Sequence, residues 1–168
     1  RPLDETNDVA RQLRRLAEER QEIERHVVAH YALGYTALCL GNLVDARSNL
    51  GEGITRYLPA QRSAEIYRAA QDPGVACRAY LAMVEWLLGF PERAQGVMRE
   101  SVALAEELDD PFSLAYALCF PGAMVSEMCG GDTGAVVERG LNVATEGGFS
   151  LWIAFAKVHR ASLRFEEQ

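Results

Sequence analysis

The chain has 168 residues, of which 49% are hydrophobic, and its formal net charge is −7. This length and hydrophobic fraction suit one globular domain with its own core and argue against disorder. The acidic balance does not suit a protein that binds nucleic acid or an anionic membrane surface. No apolar run approaches the length of a membrane span, and the chain starts with neither a signal peptide nor Met. We therefore expect a cytoplasmic fragment of a longer protein.

Apolar residues recur at helical spacing through the first third of the chain, which predicts helices at about residues 4–19, 22–40 and 43–57. Gly51 and Gly53 fall inside the third helix, where each glycine costs up to about 1 kcal/mol relative to alanine. We expect either close packing at these glycines or an irregular helix. The apolar stripe of the first helix consists of Val9, Ala10, Leu13, Leu16 and Ala17.

Residues 58–71 are an insertion ahead of the next helix, and Pro59 can start a short helix within it. Asp72 followed by Pro73 is a helix-start signal, because an Asp side chain caps free amide groups and Pro lacks only an amide that has no partner there. The helix is expected to end at Gly89. Its apolar stripe consists of Leu81, Val84, Leu87 and Leu88.

Pro91 opens the following helix, which reaches about residue 108. Asp110 and Pro111 repeat the start signal, and Pro121 inside that helix should kink it or break it. The buried stripe of the helix that starts at Pro91 is expected at Ala94, Met98, Val102 and Ala105.

A Gly-rich turn at residues 130–134 precedes a helix that runs to about residue 146, and a last helix is expected at about residues 151–165. Such a turn ahead of a helix can cradle a phosphate group. This one lacks the Lys-Ser/Thr ending of a P-loop, and no strand precedes it. We interpret it as a plain turn.

One pattern of small residues occurs three times. A small residue is followed by Gly seven residues later and by Ala twelve residues later, and a β-branched residue follows eight after the Ala. The three copies are Gly34, Gly41, Ala46 and Ile54; Ala82, Gly89, Ala94 and Val102; Ala123, Gly130, Ala135 and Val143. This spacing is that of tetratricopeptide repeats, in which small residues let two antiparallel helices cross closely.

The chain therefore resembles a tetratricopeptide-like (TPR-like) protein. The resemblance implies an all-α fold, a right-handed α-solenoid of antiparallel helix pairs. It also implies that residues 1–168 are a single domain of about three helix pairs with half-repeats at both ends.

Four segments carry a closer resemblance: 71–77 (Gln-Asp-Pro-Gly-Val-Ala-Cys), 86–89 (Trp-Leu-Leu-Gly), 107–115 (Glu-Leu-Asp-Asp-Pro-Phe-Ser-Leu-Ala) and 147–152 (Gly-Gly-Phe-Ser-Leu-Trp). Their order is similar to the helical region of large bacterial signalling proteins that join a class III adenylyl/guanylyl cyclase domain, a predicted signal-transduction ATPase and C-terminal TPR-like repeats. The resemblance implies a non-catalytic interaction or autoregulatory module. It carries no cyclase or ATPase activity onto this chain, because no catalytic segment is present.

The resemblance also predicts a groove, lined by the first helix of each pair. Aromatic and methionine side chains there suit an adaptable partner surface. The expected partner is a protein or peptide segment, such as another domain of the same chain, or a second copy in a homodimer. The alternative is that these side chains are ordinary core, since an apolar stripe at helical spacing usually is. The groove residues are Tyr31, Tyr35, Leu38, Met83, Trp86, Phe120, Met124 and Met128.

Candidate metal ligands are few. Glu22, His26 and His30 lie four residues apart on one helical face, a spacing that can hold a metal ion, but no further ligand cluster accompanies them, so a polar helix face is favoured. The four cysteines lack the close paired spacing of a zinc site and are expected to be reduced core residues. They are Cys39, Cys77, Cys119 and Cys129.

No catalytic, cofactor-binding or metal-binding constellation stands out, so we expect this chain not to be an enzyme. Two alternatives come from other functional classes. The chain could be a small-ligand sensor, with the ligand enclosed by the superhelix, or it could form part of a nucleotide-handling enzyme.

Overall fold

The computed structural model describes residues 2–20, 23–58 and 71–166, and every regular element in these ranges is helical. Residues 59–70, with the short helix expected from Pro59, lie outside the described residues. A π-helical turn (Leu118–Gly122) joins two short helices. The α-helices are α1 (Pro2–Arg20), α2 (Ile23–Cys39), α3 (Leu43–Arg56), α4 (Pro73–Leu87), α5 (Pro91–Glu107), α6 (Pro111–Ala117), α7 (Ala123–Met128), α8 (Thr133–Glu146) and α9 (Ser150–Glu166).

The helices pack against their neighbours in chain order, from α1 on α2 through to α8 on α9. In addition, α2 contacts α4, and α4 contacts α6. We call α2, α4, α6–α7 and α9 the first helices, and α3, α5 and α8 the second helices. Contacts between elements close in sequence therefore build the fold, and the first helices touch one another along it.

Aspartates cap three of the helices, two of them as the sequence predicts. The Asp72 carboxylate accepts hydrogen bonds from the amides of Gly74 and Val75, at 2.8 and 3.1 Å. Asp110 caps α6, and Asp132 caps α8 by accepting from the amide of Ala135 at 2.9 Å. The Asp132 carboxylate thus binds at the start of α8, where a phosphate group would have to bind. Residues 130–134 are therefore a turn that leads into a helix capped by its own chain.

The two glycines inside α3 have different surroundings, although the helix is continuous. A Cβ at Gly53 would lie 2.8 Å from the Cys77 Sγ, whereas a Cβ at Gly51 would meet nothing within 4 Å. The expectation of close packing is therefore confirmed at Gly53 and wrong at Gly51.

Pro121 breaks its helix, as predicted. It lies inside the π-helical turn and is fully buried. Proline has no amide to donate, and its ring would collide with the carbonyl of residue i−4 in a regular α-helix, so the wider turn relieves both problems. A Cβ at the next residue, Gly122, would lie 2.5 Å from the carbonyl oxygen of Ala117.

The repeated small residues form much of the core, with one correction. Ala46, Ala82, Ala94 and Ala123 are completely buried, but Ala135 is exposed. The turn before α8 holds one more residue than the turns before α3 and α5, so the third copy of the pattern is out of register. The close approach is made further along the helix, at Gly140, where a Cβ would lie 2.8 Å from the Cys119 Sγ.

The apolar stripe of α1 is also narrower than expected. Ala10 and Ala17 are buried against α2, whereas Val9 and Leu16 are 64% and 47% exposed. The two alanines allow α1 to lie close to α2, and the larger side chains flank that contact on the outside.

Candidate partner-binding face

Aromatic rings from successive first helices touch one another. Tyr31 and Tyr35 of α2 lie 5.9 and 4.8 Å from Tyr80 of α4, measured between ring centroids. Tyr80 in turn lies 6.4 Å from Tyr116 of α6. Three first helices are therefore joined by tyrosines.

The contacts continue to the last helix. Tyr116 lies 5.4 Å from Trp152 of α9, and Trp152 lies 5.8 Å from Phe155. Phe155 then packs at 5.1 Å against Phe120 of the π-helical turn. We call this set the aromatic row: Tyr35, Tyr31, Tyr80, Tyr116, Trp152, Phe155 and Phe120.

Exposure changes along the aromatic row. Tyr35 at the α2 end is 40% exposed, whereas Tyr80 and Tyr116 in the middle are 7% and 1% exposed. Trp152 is also buried, and Phe155 and Phe120 beyond it are half-buried. The middle of the aromatic row is core, its α2 end is exposed at Tyr35, and its other end is half-buried at Phe120.

The hydroxyl groups of the tyrosines stay protonated at neutral pH. Burial raises the pKa of Tyr31, Tyr80 and Tyr116 above the usual tyrosine value. The pKa of Tyr35 is raised first by a hydrogen bond with the Cys39 thiol and then by burial. The Tyr31 hydroxyl also accepts a hydrogen bond from the side-chain amide of Gln71 at 3.2 Å. Of these hydroxyls, that of the exposed Tyr35 is accessible to a carbonyl oxygen of a bound chain.

Trp86 joins two first helices through a hydrogen bond. Its indole Nε1 donates to the backbone carbonyl of Met128 at the end of α7, at 3.0 Å. The side-chain amide of Gln95 donates to the next carbonyl, that of Cys129, at 3.4 Å. Trp86 is half-buried, so its ring has both a structural contact and a solvent-facing edge.

The structure places the eight predicted groove residues in four surroundings. Tyr31, Tyr35 and Phe120 belong to the aromatic row. Trp86 and Met128 are joined by the hydrogen bond above, and Leu38 and Met83 are half-buried against the core. Met124 is half-buried but is not packed against the core cluster.

Sequence reasoning missed the buried middle of the aromatic row, Tyr80, Tyr116 and Trp152. A signal for Tyr80 was available, since it precedes Met83 by three residues and Leu87 by seven, which places all three on one side of α4. Leu87 is 48% exposed on that side. Tyr35, the exposed end of the aromatic row, contacts Tyr80 on α4, and α4 also carries the exposed Leu87.

Only two of the three candidate metal ligands, His26 and His30, lie within the described residues. Glu22 lies outside the described residues. His30 Nδ1 lies 3.4 Å from the side-chain oxygen of Asn49, and burial lowers the pKa of His30. Among the described residues, no three His, Cys, Asp or Glu side chains are arranged to hold a metal ion.

The cysteine prediction is only half right. All four thiols are free, and Cys77 and Cys119 are buried as expected. Cys39, at the end of α2, is exposed, and Cys129 is only partly buried. Both lie where a first helix ends: Cys39 is the last residue of α2, and Cys129 directly follows α7.

The chain was compared with known protein families, with curated proteins and with solved structures, and none of them matches it. Within the described ranges, no helix combines the length and the apolar character that crossing a bilayer requires.

Proposed function

We propose that this chain is a TPR-like, right-handed solenoid of helix pairs that serves as a non-catalytic interaction or autoregulatory module of a cytoplasmic signalling protein. The alternation of first and second helices supports the architecture. The resemblance of residues 71–77, 86–89, 107–115 and 147–152 to the helical region of bacterial cyclase–ATPase proteins supports the setting. The ligand of the module is a peptide or helix from a protein partner or from another domain of the same chain.

The observation that carries this proposal is the aromatic row, which runs across every first helix and opens to solvent at its α2 end. Tyr35 and Leu87 are large, apolar and at least 40% exposed. Half-buried Tyr31 and Met83 are on the same two helices. Aromatic and methionine side chains that share a surface in this way are typical anchors for a partner.

The core interpretation and the groove interpretation apply to different residues. Tyr80, Tyr116 and Trp152 hold the first helices together and are not available to a partner. Tyr35 and Leu87 are at least 40% exposed, so we expect them to contribute less to folding. Substituting the two exposed side chains should therefore change binding more than stability.

A panned library of helical peptides tests the docking face. We expect selected peptides to bind about tenfold more weakly to Tyr35→Ala or Leu87→Ala, because each anchor contributes about 1–2 kcal/mol. Val44→Ala is the matched control, since Val44 is 75% exposed on α3, a second helix. Peptides whose affinity falls equally in the control, or in none of the variants, would count against the docking face.

Trp86 provides a second test, because it has both a structural contact and an exposed edge. Full truncation of a core Trp costs about 3–5 kcal/mol, and we expect a smaller loss for Trp86→Ala because the ring is half-buried. Trp86→Phe keeps an aromatic ring at this position but removes the indole N–H that donates to Met128, and the lost hydrogen bond should cost about 1 kcal/mol.

Urea unfolding and peptide affinity are measured for both Trp86 variants. Weaker peptide binding with a moderate loss of stability in Trp86→Ala supports the docking face. If Trp86→Ala loses the full 3–5 kcal/mol of unfolding free energy (about what a core Trp contributes) and keeps its peptide affinity, Trp86 belongs to the core alone.

A further inference from the structure

An apolar cavity lies on a different part of the molecule, between α5 and the segment from the π-helical turn to α8. Its volume is about 380 Å³, and none of the aromatic-row residues lines it. Typical small-molecule sites measure about 300–1,000 Å³ and are mostly apolar with a few polar groups. The apolar lining includes Met98, Val102, Ala103, Leu118, Val125 and Val136.

The π-helical turn contributes to the wall of this cavity. Its first and last residues, Leu118 and Gly122, both belong to the lining. The extra residue of a π turn changes the direction in which the following side chains point, and such turns recur at functional sites. Within the described residues, the π-helical turn is the one place where a helix becomes irregular, and the cavity lies beside it.

The rim of the cavity carries charge. Arg139 and Glu106, both in the lining, form an ion pair with each other. Arg99 also lines the cavity, and none of the ion pairs within the ranges that the structure describes involves it. The rim thus presents one uncompensated positive charge beside apolar surface, although the chain as a whole is acidic.

We propose that this cavity binds a small amphipathic anion. The apolar body of the ligand lies between α5 and α8, and its carboxylate pairs with the guanidinium of Arg99. This chemistry follows from the two features of the lining, an apolar interior and a single unpaired cation at the edge. The proposed site is separate from the aromatic row, so it does not depend on the docking function proposed above.

Decanoate and 1-decanol, titrated into the full chain, test both parts of the proposal. They share an apolar body, but only decanoate is an anion. We expect saturable binding of decanoate by calorimetry, with amide shifts in ¹H–¹⁵N spectra confined to the residues around Val102 and Val136. Decanol should bind about two- to fivefold more weakly, the range expected for one exposed charge pair.

Two substitutions separate the charge from the cavity. Arg99→Gln should remove the preference for decanoate over decanol. Arg93→Gln is its matched control, because Arg93 lies on the same helix over the Phe90 ring and outside the cavity. Ala103→Trp should cover the cavity and abolish binding of both probes, and Ala103 is exposed, so the substitution leaves the core unchanged. Circular dichroism checks that each variant is folded.

Three results would overturn the proposal. They are equal affinity for decanoate and decanol, unchanged binding in Ala103→Trp, and amide shifts centred on the aromatic row. Unchanged peptide binding at Tyr35 in the same Ala103→Trp variant would show that the docking function stands independently of this result.

Discussion

At the scale of single residues, Asp72 connects three parts of the chain: α4, α6 and the residue that follows α3. Its carboxylate caps α4 and accepts a hydrogen bond from the Tyr57 hydroxyl at 2.9 Å. Its own amide donates to the Ser113 hydroxyl at 2.7 Å, which ties α4 to α6. The side chain is completely buried. A buried carboxylate is costly unless it is hydrogen-bonded, and the hydroxyl of Tyr57 and the amides of Gly74 and Val75 help to compensate that cost.

We predict that Asp72→Ala lowers the free energy of unfolding by about 2–4 kcal/mol, because it removes both the cap and a charged acceptor. The control is Asp132→Ala, which removes an exposed cap that makes one such bond to α8. That change should cost about 1 kcal/mol. Urea unfolding of the two variants decides the point, and equal losses would mean that the buried contacts of Asp72 add nothing to its capping role.

At the scale of elements, α3 shows that the effect of a helical glycine on stability depends on which side chains pack against it. Gly51 and Gly53 are two residues apart in one helix and look equivalent in the sequence. In the structure, only Gly53 lies where another helix approaches, with the Cys77 thiol on one side and His30 on the other. The small size of Gly53 is therefore required for the contact of α3 with α4, and that of Gly51 is not.

We predict opposite effects for the same substitution at these two sites. Gly51→Ala should raise the free energy of unfolding by about 0.5–1 kcal/mol, since alanine favours the helix and has space there. Gly53→Ala should lower it, because the new methyl group would displace the fully buried Cys77. Chemical unfolding of the two variants measures both, and a stabilised Gly53→Ala would show that α3 and α4 are less closely packed than described.

At the scale of the whole molecule, several cysteine thiols and tyrosine hydroxyls are buried in their neutral, protonated form. Burial raises the pKa of the Cys77 thiol from 9.0 to about 12 and that of the Cys119 thiol to about 11. It also raises the pKa of Tyr80 and Tyr116. Above pH 9 the unfolded chain releases these protons before the folded chain does, so rising pH favours unfolding.

We predict that stability is highest below about pH 9 and falls as the pH rises toward 11, by up to about 1.4 kcal/mol per pH unit for each such group. Cys77→Ala and Cys119→Ala should each make this fall less steep. Val44→Ala should leave it unchanged, because it removes an exposed side chain that carries no titratable group. Urea midpoints between pH 8 and pH 10 measure the slope, and a slope that is the same in all three variants would contradict the assignment to buried thiols.

The sequence alone was enough for the order of the helices and for where most of them start and stop. Asp72 and Asp110 accept hydrogen bonds from amides within three residues of themselves, and Pro91 starts its helix because its fixed φ suits the first position. Gly89 ends its helix at a positive φ of 87° that favours glycine. The break at Pro121 is equally local. Such features depend on the backbone nearby, so they can be recognised without knowing which helices meet.

The tertiary structure decided which apolar side chains are covered. Leu87 and Cys39 fit helical stripes yet are exposed, and Ala135 is exposed because one extra residue in the preceding turn rotates the start of α8. The contacts of Tyr80 and Tyr116 in the aromatic row likewise arise only when separate helices meet. Burial at these positions depends on how helices distant in sequence cross, and helical spacing specifies the side of a helix on which a residue lies but not which other helix covers it.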